Sequence, residues 1–142
     1  MRIVIINGPN LNLLGIRQPE IYGTEGFDGY LDKLRTRYPQ VQIDYYQSNV
    51  EGELVNMLQE HGFQADGILL NAGGYTHTSV AIADAVAAIS APVIEIHISN
   101  IFAREPERRV SLLSKYAKGI ISGLGLEGYE LGLRYLIEKS GA

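Results

Sequence analysis

Apolar positions along the chain fall into short unbroken runs, alternating stretches and helical stripes, and their order predicts a succession of strands and helices. Arg2 to Asn7 (RIVIIN) is apolar and β-branched, the mark of a strand buried on both faces. Phe27, Tyr30, Leu31, Leu34 and Tyr38 recur at helical spacing and stop before Pro39. Val41, Ile43 and Tyr45 alternate with polar residues up to Gln47, which reads as a half-buried outer strand. A helix follows from about Glu51 to His61, with Leu54, Val55 and Leu58 inward, Asn49 as its N-cap and Gly62 closing it. Gly67 to Asn71 (GILLN) is another fully buried strand. Gly73 and Gly74 then lead through Thr76-His77-Thr78-Ser79 into an alanine-rich helix ending near Ile89. Pro92 to Ile98 predicts the fourth strand, Gly119 to Ser122 the fifth, and Glu127 to Lys139 the last helix, with Tyr129, Leu133, Leu136 and Ile137 on its inner face.

Strands alternating with helices argue for an open parallel sheet with right-handed crossovers and helices on both faces. With the second strand half exposed, the expected order is 2-1-3-4-5, the flavodoxin-like arrangement. No boundary, repeat or low-complexity tract interrupts the pattern, so residues 1–142 are expected to form a single domain.

Composition narrows the function. Twelve Lys and Arg against 16 Asp and Glu give a net charge of −4, so nucleic acid is not an expected partner and an anionic substrate needs local cations. The absence of cysteine excludes disulfides, thiolate metal sites and cysteine nucleophiles. No apolar run reaches the roughly 18 residues of a membrane span, and the N-terminus enters a strand without a signal peptide; a cytoplasmic protein is expected.

The chemistry collects where the strands end. In such a sheet ligands bind beyond the carboxyl ends of the strands, which here carry Asn7 to Asn12, Gln47 to Asn49, Asn71 to His77 and His97 to Arg109. The stretch from Asn7 to Gly23 is longer than a plain connection, with apolar anchors and Pro9 and Pro19 to stiffen it. It reads either as an ordered turn or as an active-site lid bearing Arg17 and Tyr22. Glu95 and His97 stand two apart on one strand and so share a face. The pair is either a merely hydrogen-bonded strand histidine or a carboxylate orienting a proton-transferring imidazole. Thr76 and Thr78 are equally readable as helix caps, and His61 as a solvated helix-terminal residue facing the helix dipole. His77 and His97 lack a second ligand at metal-binding spacing, and none of Lys33, Lys115, Lys118 and Lys139 lies at a strand's carboxyl end, so neither metal nor imine chemistry is expected.

Six blocks resemble the type II 3-dehydroquinate dehydratases: Asn-Gly-Pro-Asn-Leu-Asn-Leu-Leu-Gly from Asn7, Arg-x-Pro-x-Ile-Tyr-Gly from Arg17, Gln47-Ser48-Asn49 with Glu51-Gly52-Glu53-Leu54, Asn71 to Ser79, Glu95 to Asn100, and Arg104-Glu105-Pro106. The likeness runs from about residue 2 to about residue 137. It implies cofactor-free loss of water from 3-dehydroquinate through an enolate, a hydro-lyase step of the shikimate pathway toward chorismate and the aromatic amino acids. It implies Tyr22 as base, His97 as acid with Glu95 beside it, Arg17 as the cation that lets Tyr22 act as its anion, and Asn10 at the enolate. Asn71, His77 and Arg108 match substrate-binding positions, as do Ile98 and Ser99 through their backbone amides. Asp84 matches a residue that reaches the substrate from a neighbouring subunit, within trimers assembled into a dodecamer, and Arg104 resembles a supporting arginine near the lid. The chain departs from the family pattern at Phe102, Glu107 and Val110, which bears on the wall of the site around Arg108. A flavin-binding or phosphate-accepting module of the same fold is the rival, but the first loop is neither Gly-x-Gly-x-x-Gly nor Ser/Thr-rich and no acidic cluster follows the first strand.

Overall fold

The computed structural model of the chain describes residues 1–16, 20 and 26–140. Within them β1 (Arg2–Asn7), β2 (Gln42–Gln47), β3 (Gly67–Asn71), β4 (Val93–His97) and β5 (Gly119–Ser122) form a parallel sheet in the order β2-β1-β3-β4-β5. This is the flavodoxin-like order expected from the hydrophobic pattern, with the side on which successive strands are added switching between β1 and β3 while all strands stay parallel.

Period two decides which helix each strand residue meets. Ile3, Ile5, Leu69, Ile94 and Ile96 point to α1 (Phe27–Arg37) and α4 (Glu127–Ser140). Val4, Ile6, Ile68, Leu70 and Val93 point to α2 (Glu51–His61) and α3 (Val80–Ala88). Strands β1, β3 and β4 are therefore covered on both sides and buried almost throughout, while β2 and β5 at the edges stay partly exposed.

The register brings the functional ends level. Asn7 pairs with Gln47 on one side and Asn71 on the other, and His97 pairs with Ser122. Gly8 follows β1 with its N–H on the Asn71 carbonyl at 2.7 Å, and a Cβ on Gly8 would lie 2.5 Å from the Ala72 carbonyl oxygen. The backbones after β1 and β3 can meet this closely only because residue 8 has no side chain.

Three local expectations are corrected. Asn49 does not cap α2: Val50 holds the cap position without a side-chain bond, and the Asn49 Oδ1 instead accepts from the Asn10 N–H at 3.0 Å and from the Gln47 amide at 3.2 Å. Neither Thr76 nor Thr78 caps α3, because Ser79 does so, accepting from the Ile82 N–H at 2.9 Å. His61 is buried rather than solvated: its Nδ1 accepts from the Arg2 guanidinium at 2.8 Å and its ring stacks on Tyr46 at 4.7 Å. Arg2 is pinned in turn by Asp44 at 2.7 Å, and that arginine holds the Asp44 carboxyl below the ordinary carboxylate range.

Candidate active site

The carboxyl ends of β1, β3 and β4 open into a cleft. Asn10, Asn71 and His77 line it from the first and third strands, and His97, Ile98, Ser99, Arg104 and Arg108 from the fourth. Leu11, Leu13, Leu14 and Ile101 add an apolar wall that the polar motifs did not signal. Glu95 lies beneath His97, fully buried. Asp84 is exposed on the outer side of α3 and is not among the residues lining the cleft. Arg17 and Tyr22 lie outside the described residues. Arg109 does not join the cleft with the other arginines, because its guanidinium turns to the Arg104 carbonyl at 3.2 Å.

The floor of the cleft is a hydrogen-bonded pair. The His97 Nε2 stands 2.5 Å from the Glu95 Oε2. Burial pushes the Glu95 carboxyl up, but the hydrogen bond and charge of His97, with donors from Ser114 and Ser111, outweigh it and hold the group below the ordinary carboxylate range. Glu95 is therefore an acceptor, Nε2 carries the hydrogen, and Nδ1 is the ring nitrogen left to transfer a proton. Both readings of this pair, the merely hydrogen-bonded histidine and the oriented imidazole, contain this bond.

His77 faces His97 with ring centroids 6.3 Å apart and planes tilted by 24°. Its Nδ1 donates to the Val110 carbonyl at 2.7 Å, which leaves Nε2 as an acceptor for a hydroxyl. Val110 serves through its backbone, so the departure of its side chain from the family pattern does not disturb this bond. The Phe102 side chain is exposed and Glu107 likewise, and neither lines the cleft.

Asn71 is held from below. Its amide donates to the Tyr129 hydroxyl at 2.9 Å, Tyr129 donates to the Asn7 Oδ1 at 2.7 Å, and the Asn71 Oδ1 accepts from the Gly73 N–H at 3.1 Å. Burial drives the Tyr129 hydroxyl far above its ordinary value, so it remains a neutral donor. The helical stripe announced Tyr129 as an inner residue but not as the link between two asparagines on different strands. Asn10 adopts a left-handed conformation at φ 71°, a backbone that asparagine tolerates better than most residues. The Asn49 side chain braces it there.

The cations are local. The Arg104 guanidinium donates to the Ser99 hydroxyl at 3.3 Å, and Arg108 pairs with Glu105, a half-exposed contact that a substrate anion can replace at small cost. Among the described residues no group of three or more His, Cys, Asp or Glu is arranged to hold a metal ion. The cleft thus offers an oriented imidazole, a second histidine, amide groups and two arginines, a set suited to proton transfer on a small polyhydroxylated anion.

Comparison with known proteins points the same way. The family described as dehydroquinase class II matches residues 1–137. A 3-dehydroquinate dehydratase of Fusobacterium nucleatum is 54% identical, with 97% of each chain covered. One from an Exiguobacterium species is 50% identical, covering 97% of this chain and 95% of the relative. Among solved structures, the type II dehydroquinase of Butyrivibrio crossotus superposes with a TM-score of 0.92 at 42% identity, covering 96% of this chain and 97% of the other.

Proposed function

The chain belongs to the class II dehydroquinase family, and on that footing we propose how its residues remove water from 3-dehydroquinate to give 3-dehydroshikimate. Tyr22, as its phenolate, takes a proton from the carbon beside the ketone, and the electron pair becomes an enolate. Asn10 serves the enolate oxygen through a water, an oxyanion-hole role. The enolate then collapses to the conjugated ketone, expelling the hydroxyl, to which His97 supplies a proton so that it leaves as water. Arg17 keeps Tyr22 ionised. Asn71, His77 and Arg108 bind the substrate with the backbone amides of Ile98 and Ser99, and the elimination needs no cofactor. The whole chain acts as one catalytic unit.

The observation that carries this reading is His97 on a fully buried Glu95, with its ring lining a cleft that also holds His77, Arg104 and Arg108. We further infer that the enzyme works in the cytoplasm as trimers assembled into a dodecamer, with Asp84 reaching the cleft of a neighbouring subunit. Val80, 64% exposed, lies one helical turn from Asp84 on the same side of α3, and Val110 is equally exposed. An exposed apolar residue one turn from an acidic one is a surface that a neighbouring copy would cover.

Mixing the protein with 3-dehydroquinate should raise the ultraviolet absorbance of the conjugated product. The rate should be the same in EDTA, and borohydride with substrate present should leave no adduct by mass spectrometry. No absorbance change would overturn the reaction. Loss of activity in EDTA with recovery on adding a divalent ion would overturn the metal-free route.

A further inference from the structure

Ser111 and Ser114 lie outside every motif that pointed to the cleft, yet both reach its floor. The Ser111 hydroxyl donates to the Glu95 Oε1 at 2.9 Å and the Ser114 hydroxyl donates to the same oxygen at 2.8 Å. The other carboxylate oxygen, Oε2, belongs to His97. The direction of the Ser111 proton is determined: its oxygen accepts the backbone N–H groups of Leu113 and Ser114, each at 3.1 Å, which leaves its one hydrogen for Glu95. The Ser114 hydroxyl makes no second hydrogen bond among the described residues.

We propose that Ser111 and Ser114 are positioning residues of the general acid, a two-hydroxyl clamp that fixes Glu95 against His97 and so sets the proton affinity of the pair. This rests on His97 being the acid of the reaction described above. A carboxylate with no exposure to water needs donors on both oxygens to stay charged, and one imidazole serves only one of them. The clamp supplies the other side and prevents the carboxylate from rotating away from Nε2. The deprotonated pair carries a net negative charge and depends on every donor, whereas the protonated pair is neutral overall and depends on them less. Loss of a hydroxyl therefore favours the protonated pair and raises its titration midpoint.

The other charged and titratable groups around the pair stay in place when Ser114 changes. Among the described residues they are His77 from the turn after β3, and Arg104 and Arg108 across the cleft. On the flanking segments, Asp84 of α3 is exposed, and Lys115 lies over the Tyr116 ring at 5.6 Å.

Ser114 is the cleaner position to test, because Ser111 also holds two backbone N–H groups. Threonine at 114 keeps the hydroxyl and valine has the same shape without it, so Ser114→Thr, Ser114→Val and Ser114→Ala together separate the donor from the packing. In protein labelled with ¹⁵N at its three histidines and assigned with His97→Gln, the midpoint of the pair is read by NMR as pH is varied. Ser114→Ala and Ser114→Val should raise it by about one pH unit, while Ser114→Thr leaves it at the wild-type value. The high-pH limb of kcat/KM should move by the same amount. Folded alanine and valine variants that titrate with the wild type would overturn the clamp. A midpoint that moves while the kinetic limb stays would uphold the clamp and refute His97 as the acid.

Discussion

His97 and Tyr22 divide the proposed reaction between them, and each makes a separable demand. His97→Ala should lower kcat by roughly 10²–10⁴-fold with little change in substrate affinity, since a general acid contributes in the transition state. Glu95→Gln should cost less, because the amide oxygen can still accept from Nε2. Steady-state kinetics check both, and a normal kcat in His97→Ala would put the acid elsewhere. A tyrosine with an ordinary pKa of about 10 needs a shift of roughly 3 units to act as a base near pH 7, on the order of 4 kcal/mol. A guanidinium about 4 Å away supplies that much at an effective dielectric near 20 but only about 1 kcal/mol in bulk water. Activation of Tyr22 by Arg17 thus requires water to be excluded around them. Tyr22→Phe should abolish turnover while leaving ligand binding nearly intact, and Arg17→Ala should be almost as damaging. In Arg17→Ala the limb on which rate rises with pH should move up toward the free phenol. An unchanged limb and rate would show that Arg17 is not the activator.

Between elements, a neutral polar link under the cleft is the relay from Asn71 on β3 through Tyr129 on α4 to Asn7 on β1. It couples the packing of α4 to the position of Asn71, the amide proposed to bind substrate. Tyr129→Phe keeps the ring in its aromatic contact with Phe27, at 4.9 Å between centroids, and removes only the hydroxyl. Two buried asparagine groups then lose a partner, and the variant should be less stable by about 2 kcal/mol. Its KM should also rise as Asn71 loses its support. Urea unfolding and kinetics together test this; wild-type stability with wild-type KM would mean that the relay holds nothing in place.

At the scale of the whole molecule the net charge of −4 opposes an anionic substrate, so binding depends on the arginines at the cleft and should weaken as salt rises. The proposed assembly bears on the same cleft. Asp84 is exposed and does not line its own cleft, so a catalytic part for it would have to be played across a subunit boundary. Light scattering at assay concentration should find a large oligomer, and Asp84→Ala should raise KM without unfolding the protein. An active monomer would remove Asp84 from the site.

Much of this was legible in the chain because it follows from local periodicity. The unbroken runs at Arg2 to Asn7 and Gly67 to Asn71 and the alternation at Val41 to Tyr45 separate inner strands from an outer one, and with the helical stripes they fix the sheet order. The same period two put Glu95 and His97 on one face, and the likeness in six blocks named the family. What local pattern could not carry was contact between residues distant in sequence. Ser111 and Ser114 meet Glu95, Tyr129 joins Asn7 to Asn71, and Asn49 braces Asn10 instead of capping a helix. His61, polar and at a helix end, reads as solvated until Arg2 and Tyr46 from neighbouring strands close over it. A hydroxyl or amide has many possible partners along a sequence, and only the packed sheet, by bringing strand ends level and excluding water, selects one.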